Sequence, residues 1–144
     1  MTDIKSVYNE VIMDHYMMSP YKKELDNFTC ESMGVNPSCG DEIKLQLLVE
    51  DNVIKDIAYT GEGCAISLSS SSIMIDTIKG KSIEDAKNII SIFKKMINKE
   101  ILSNEEITIL KDSYVFLNIA NMPARMKCAL LSWQTIEKML DEIK

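Results

Sequence analysis

Ile43-Lys44-Leu45-Gln46-Leu47-Leu48-Val49 is followed by Asp51-Asn52 and then by Val53-Ile54-Lys55-Asp56-Ile57-Ala58-Tyr59-Thr60. Ile43, Leu45, Leu47 and Val49 recur with a period of two, and Asp51-Asn52 supplies turn residues before the second run, which predicts an antiparallel hairpin. Gly61-Glu62-Gly63 ends the second strand, and the period then changes. Ala65 to Lys79 reads as a helix, although Ser69-Ser70-Ser71-Ser72 are poor helix formers; serines this small predict a close approach between helix and sheet. Gly80 closes that helix, and Ser82 with Asp85 resembles a capping box opening another through Ala86, Ile89, Ile90, Phe93 and Ile97. A short helix is expected from Asn104 to about Leu117. Pro123 suits a first helical position, and Ala124 to Ile143 carries Leu130, Leu131, Trp133, Met139 and Leu140 on a long last helix.

On the N-terminal side of the hairpin, Ile4, Val7, Tyr8, Val11, Ile12 and Tyr16 fall at three- and four-residue spacing, predicting an amphipathic helix from Asp3 to Met18 with Thr2 as cap. Pro20 ends it by pushing Ser19 out of the helical region. An irregular polar stretch follows up to Asn36-Pro37, with a short strand expected near Phe28 to Ser32. Helix, small sheet, several helices is the order of an α+β domain: a small antiparallel sheet packed against helices, with residues 1–144 forming one compact unit.

The chain has 144 residues, with 46% hydrophobic, 26% charged, 5 Gly and 3 Pro. That composition argues against disorder, collagen and coiled coil, and the length fits one core. A net charge of −6 repels phosphate backbones and anionic lipid, so neither nucleic acid nor a membrane is an expected partner. No run reaches the roughly eighteen apolar residues of a membrane span, and Met1 to Glu10 has acidic residues and no apolar signal core, so a cytoplasmic location is expected. Reducing conditions there disfavour structural disulfides among Cys30, Cys39, Cys64 and Cys128 and favour metal binding or thiol chemistry.

Three of these cysteines sit where elements end. In Cys39-Gly40-Asp41 the thiol and carboxylate are two residues apart, so they point to one side of an extended segment, and Gly40 permits a backbone twist between them. Cys64 lies at a strand end and helix start, where unpaired N–H groups favour a thiolate; Cys128 lies in the first turns of the last helix. Three sulfurs and one oxygen can fill a tetrahedral site, and thiolates favour zinc or iron and sulfur over magnesium or calcium. Spacing alone leaves the alternative of ordinary buried thiols open. Arg125 is the chain's only arginine, three residues before Cys128 and on the same helix face. Its charge would offset part of the net negative charge of three thiolates and a carboxylate around a dication. Cys30 reads as a free or half-buried thiol, His15 as a packed or surface histidine, and Met17-Met18 with the other methionines as core filler rather than a copper site.

Asn36-Pro37-Ser38-Cys39-Gly40-Asp41, Gly61-Glu62-Gly63-Cys64-Ala65-Ile66-Ser67 and Arg125-Met126-Lys127-Cys128-Ala129 resemble, in the same order, the three cysteine motifs of the IscU/NifU N-terminal scaffold family. The resemblance covers nearly the whole chain. Lys127 stands where the IscU type has a histidine before its third cysteine, and the segment from Cys64 to Cys128 is longer; both features resemble the SufU branch. The resemblance implies a zinc ion held by Cys39, Asp41, Cys64 and Cys128, with Cys39 as a catalytic residue; Arg125, for its charge beside Cys128, is taken as the other. The resemblance implies acceptance of persulfide sulfur on Cys39 from a SufS-type cysteine desulfurase for iron–sulfur cluster assembly, and a downstream cluster-assembly scaffold as a further partner. The alternatives are a scaffold that holds a transient iron–sulfur cluster on the same residues and an interaction domain with a purely structural zinc.

Overall fold

The computed structural model describes residues 10–143. Helix α1 (Glu10–Met17) is followed by β1 (Cys30–Asn36), β2 (Asp41–Glu50) and β3 (Val53–Glu62), then α2 (Ala65–Ile78), α3 (Ile83–Ile97), α4 (Asn104–Leu110), a 3-10 helix (Lys111–Asn121) and α5 (Pro123–Glu142). The α+β expectation holds. The start of the first helix and its Thr2 cap lie outside the described residues.

The hairpin forms as read. Leu45 faces Tyr59 and Leu47 faces Ile57, with a bulge between Leu48 and Val49, and Asp51 and Asn52 both take positive φ, 53° and 62°, as a tight two-residue turn demands. Ile43, Leu45, Leu47, Ile57 and Tyr59 are buried, while Gln46 on the opposite face is buried beneath the segment after α1, where its Oε1 accepts the Leu25 N–H. That segment also covers the outer edge of β3: the Lys23 N–H donates to Tyr59 O and the Tyr59 N–H to Tyr21 O, both at 3.0 Å.

The sheet has a third strand in the order β1-β2-β3, and here the expectation of a short strand near Phe28 to Ser32 is corrected to Cys30–Asn36. Its pattern is inverted, with Met33 and Val35 exposed and Gly34 facing inward. The reason is α5, which lies so close that a Cβ on Gly34 would collide with Thr135 Oγ1 and touch Leu131. Small inner residues admit the helix, and the hydrophobicity signal is lost.

Helix α2 does form, and all four serines of its run are fully buried. Two bond back into α2 itself and two reach the elements packed on it, none of them the sheet. Ser69 and Ser71 donate back to Ile66 O and Ser67 O, Ser72 bonds His15 and Ser19, and Ser70 reaches α5. Each hydroxyl thus has a partner, which removes the cost of burying it.

The helix expected over Asn104 to Leu117 stops at Leu110. Lys111 takes φ 52° and the chain tightens into a 3-10 helix, whose three-residue turn puts Ser113, Phe116 and Ile119, all buried, on one face. Phe116 then meets Phe93 of α3 edge-on, and Phe93 stacks on Trp133 of α5 with centroids 3.9 Å apart. Ser82 caps α3 by accepting the Asp85 N–H, while a reciprocal capping box occurs at Ser103 and Glu106 of α4. Met17 and Met18 are not core filler: they are 71% and 73% exposed, beyond the part of α1 that packs through Ile12. No helix among the described residues is long and apolar enough to cross a membrane.

Candidate metal and thiol site

Cys39 sits in the loop joining β1 to β2. The Cys39 N–H donates to Asn36 O at 3.2 Å and Gly40 follows at φ 72°, a left-handed conformation that glycine adopts without strain. This turn delivers Asp41 at the first position of β2, fully buried. Cys64 occupies the N-cap of α2, and its side chain caps nothing, so the thiol stays available. Cys128 is fully buried in the second turn of α5.

The structure brings together Cys39, Asp41 and Cys128, whose donor atoms lie within 4.8 Å of one another. The two sulfurs are 3.1 Å apart. Cys64 adjoins this group without falling inside that spacing: its thiol is 3.7 Å from Ser67 Oγ and close enough to Cys128 to act on its ionisation. Burial, first, and then the neighbouring Cys39, Cys64 and Asp41 push the Cys128 thiol strongly up. Arg125 is half-buried in the first turn of α5, its backbone N–H donating to Met122 O.

The Asp41 carboxylate is held from two sides. Oδ1 accepts the Cys64 N–H and the Ser67 hydroxyl, both at 3.0 Å, and Oδ2 accepts from Asn36 Nδ2 at 3.3 Å. Gly63 makes room for this, since a Cβ there would stand 2.5 Å from Ser67 Oγ and 2.7 Å from Asp41 Oδ1. Sequence reasoning gave Asn36, Gly63 and Ser67 no part in the site. The available signal was their presence inside the two motif strings, Asn36 at the start of one and Gly63 and Ser67 around Cys64 in the other.

The donors, thiolates with one carboxylate oxygen, suit a single soft or borderline cation. Cys30 stands apart in β1, half-buried, its thiol pushed up by burial and then by Glu142. His15 Nδ1 lies 2.7 Å from Ser72 Oγ, a half-buried packed histidine.

A profile of the NifU-like N terminal domain matches residues 7–142. The chain belongs to the NifU-like N-terminal domain family. This NifU-like chain is 39% identical over 139 residues to a Thermotoga maritima protein named iron–sulfur cluster assembly scaffold protein IscU, with 96% of each covered. It is 37% identical over 136 residues to the Bacillus subtilis protein named zinc-dependent sulfurtransferase SufU, covering 94% of this chain and 90% of the other. A solved structure from Fervidobacterium islandicum AW-1, described as an iron–sulfur cluster assembly scaffold protein for the SUF system, matches with a TM-score of 0.88 at 32% identity. It covers 96% of this chain and 99% of that one. Within the family the chain is a SufU-type member, and α3, at Ile83–Ile97, lies in the segment between Cys64 and Cys128.

Proposed function

We propose that this protein is a zinc-dependent sulfur acceptor that takes persulfide sulfur from a cysteine desulfurase for iron–sulfur cluster assembly. Residues 1–144 would act as one domain in the cytoplasm, where reducing conditions keep its thiols free, and a downstream cluster-assembly scaffold would receive the sulfur. The observation that carries the reading is the convergence of Cys39, Asp41 and Cys128 within 4.8 Å from two separate pieces of backbone, with Cys64 alongside on a third. These four residues would hold the zinc. When bound, the ion keeps the thiols deprotonated and adds no redox chemistry of its own.

Cys39 is the acceptor. Its thiol is half-buried where Cys128 is sealed, and the loop around Gly40 lets it move without disturbing a helix. The Cys39 thiolate attacks the outer sulfur of the partner's cysteine persulfide. A new S–S bond forms on Cys39 as the partner's S–S bond breaks, and the electron pair leaves on the partner's thiolate, which takes a proton from solvent. Arg125 offsets the negative charge of the site and does not ligate, so Arg125→Ala should slow transfer or weaken desulfurase docking while leaving zinc bound.

The test is mass spectrometry after mixing the protein with desulfurase and cysteine, which should place the persulfide on Cys39. Persulfide on Cys128 or Cys30 instead, or full transfer by Cys39→Ser, would sink the assignment. The purified protein should be colourless with close to one zinc per chain, and a chelator should lower its melting temperature because the site ties the β1–β2 loop, α2 and α5 together. The identity to the Thermotoga protein named as a scaffold favours a second reading, a labile iron–sulfur cluster carried as cargo on the same residues. A stable visible chromophore with stoichiometric iron and sulfide, formed with zinc excluded, would select it.

A further inference from the structure

Asn36 is 6% exposed at the end of β1, directly opposite Asp41 in the strand register. Its backbone closes the β1–β2 loop through the carbonyl that accepts the Cys39 N–H, so the turn does not need its side chain. The side-chain amide is directed into the site. Nδ2 has two hydrogens, and it lies 3.3 Å from Asp41 Oδ2 and 3.7 Å from Cys128 Sγ. On the other oxygen of Asp41, the Cys64 N–H and Ser67 hydroxyl already take up Oδ1.

We propose that Asn36 is a positioning residue of the metal centre: its single amide nitrogen clamps the donor oxygen of Asp41, on β2, to the donor sulfur of Cys128, on α5. This rests on the metal centre proposed above. The clamp spans the two donors that are buried outright and leaves Cys39, the donor that must leave the site to accept sulfur, outside it. With Oδ1 held by Cys64 and Ser67, Oδ2, which shares the Asn36 amide nitrogen with Cys128 Sγ, is the oxygen through which Asp41 would ligate. An amide suits the place chemically. A carboxylate at position 36 would set like charge against Asp41, and an aliphatic side chain would leave both acceptors without a donor. Hydrogen-bond partners of ligating groups set their orientation, and losing one typically costs about 10- to 100-fold in metal affinity.

The experiment uses the full chain and the variants Asn36→Ala and Asn36→Asp, the second nearly identical in volume to the parent so that it carries the test if the first does not fold. Zinc affinity is read by competition with a chromophoric chelator, and the ligand set by the absorption of the cobalt(II)-loaded protein. Both variants should bind zinc about 10- to 100-fold more weakly. In the cobalt protein the sulfur-to-metal charge-transfer band should keep its intensity per bound ion while the d–d bands shift, because the thiolates remain and the carboxylate is no longer held at one oxygen. Parental affinity in both variants would overturn the proposal. Weaker binding with parental d–d bands would also overturn it, because that is what general loosening of the loop produces. A parent chain that binds neither ion would bring down the metal centre itself, and Asn36's role with it, which is distinct from failure in the variants alone.

Discussion

The Cys39 and Cys128 sulfurs lie 3.1 Å apart, one on the loop between β1 and β2 and the other on α5. A disulfide requires about 2.05 Å, so a movement of about 1 Å would join them. Metal-free protein treated with diamide should therefore form mainly a Cys39–Cys128 disulfide, seen as the loss of two hydrogens in the intact mass and as a linked peptide pair after digestion. Prior loading with zinc should protect both thiols. A dominant link to Cys64 or Cys30 would contradict the geometry.

Gly63 and Gly40 should separate packing from backbone strain. A Cβ at Gly63 would press on Ser67 Oγ and Asp41 Oδ1, so Gly63→Ala should weaken metal binding and cost about 1 to 3 kcal/mol by overpacking. Gly40 has open space around it but a φ of 72°, so Gly40→Ala should cost only about 1 to 2 kcal/mol of backbone strain. Urea titrations and chelator competition on the two variants measure the contrast, which equal losses of metal affinity would refute.

Ser70 links α2 to α5. Its hydroxyl donates to Ala129 O at 2.6 Å and accepts the Trp133 indole N–H at 2.9 Å. Ser70→Ala leaves that N–H buried without a partner, a loss of about 1 to 3 kcal/mol. Trp133 is the chain's one tryptophan, so fluorescence-monitored unfolding reports the change directly; an unshifted midpoint would show that the link carries no stability.

Alkaline pH should destabilise the metal-free protein through two groups. The Cys128 thiol is raised above its ordinary 9.0, first by burial and then by Cys39, Cys64 and Asp41. A raised pKa favours the protonated form in the fold, so this stability is present below about pH 9 and is lost as pH rises past it. Tyr21 is pushed up from 10.0 to about 12, by burial and then by Asp76, to which its hydroxyl donates, so its share is lost between about pH 10 and 12. Cys128→Ala and Tyr21→Phe should each reduce the alkaline loss of stability in pH-dependent urea titrations. Zinc binding expels the thiol protons, so zinc affinity should rise with pH.

The hairpin was legible because Ile43, Leu45, Leu47, Ile57 and Tyr59 face one core, and a one-sided core imposes a period of two on the residues that line it. Cys39, Asp41, Cys64 and Cys128 were legible as candidates because their three motif strings resemble those of a known family, whereas residue type and spacing alone left ordinary buried thiols open. Strand β1 was misjudged at both ends. Its inner positions, Ser32 and Gly34, are small to admit α5, so nothing in their own hydrophobicity marks them as interior. The end of α4 was missed because the period-three burial of Ser113, Phe116 and Ile119 depends on Phe93 and Trp133, which come from elsewhere in the chain.

By itself, the sequence determined the hairpin, its turn at Asp51-Asn52 and the candidate thiol and carboxylate residues, since these follow from local periodicity, backbone preference and side-chain chemistry. Only the tertiary structure decided that Cys39, Asp41 and Cys128 share one site while Cys64 adjoins it, and that Asn36 and Ser67 hold the carboxylate between them. Those contacts join Asn36 to Cys128 and Asp41 to Ser67, 92 and 26 residues apart. Distances of that kind are set by how α2 and α5 pack on the sheet, and no local rule of the chain encodes them.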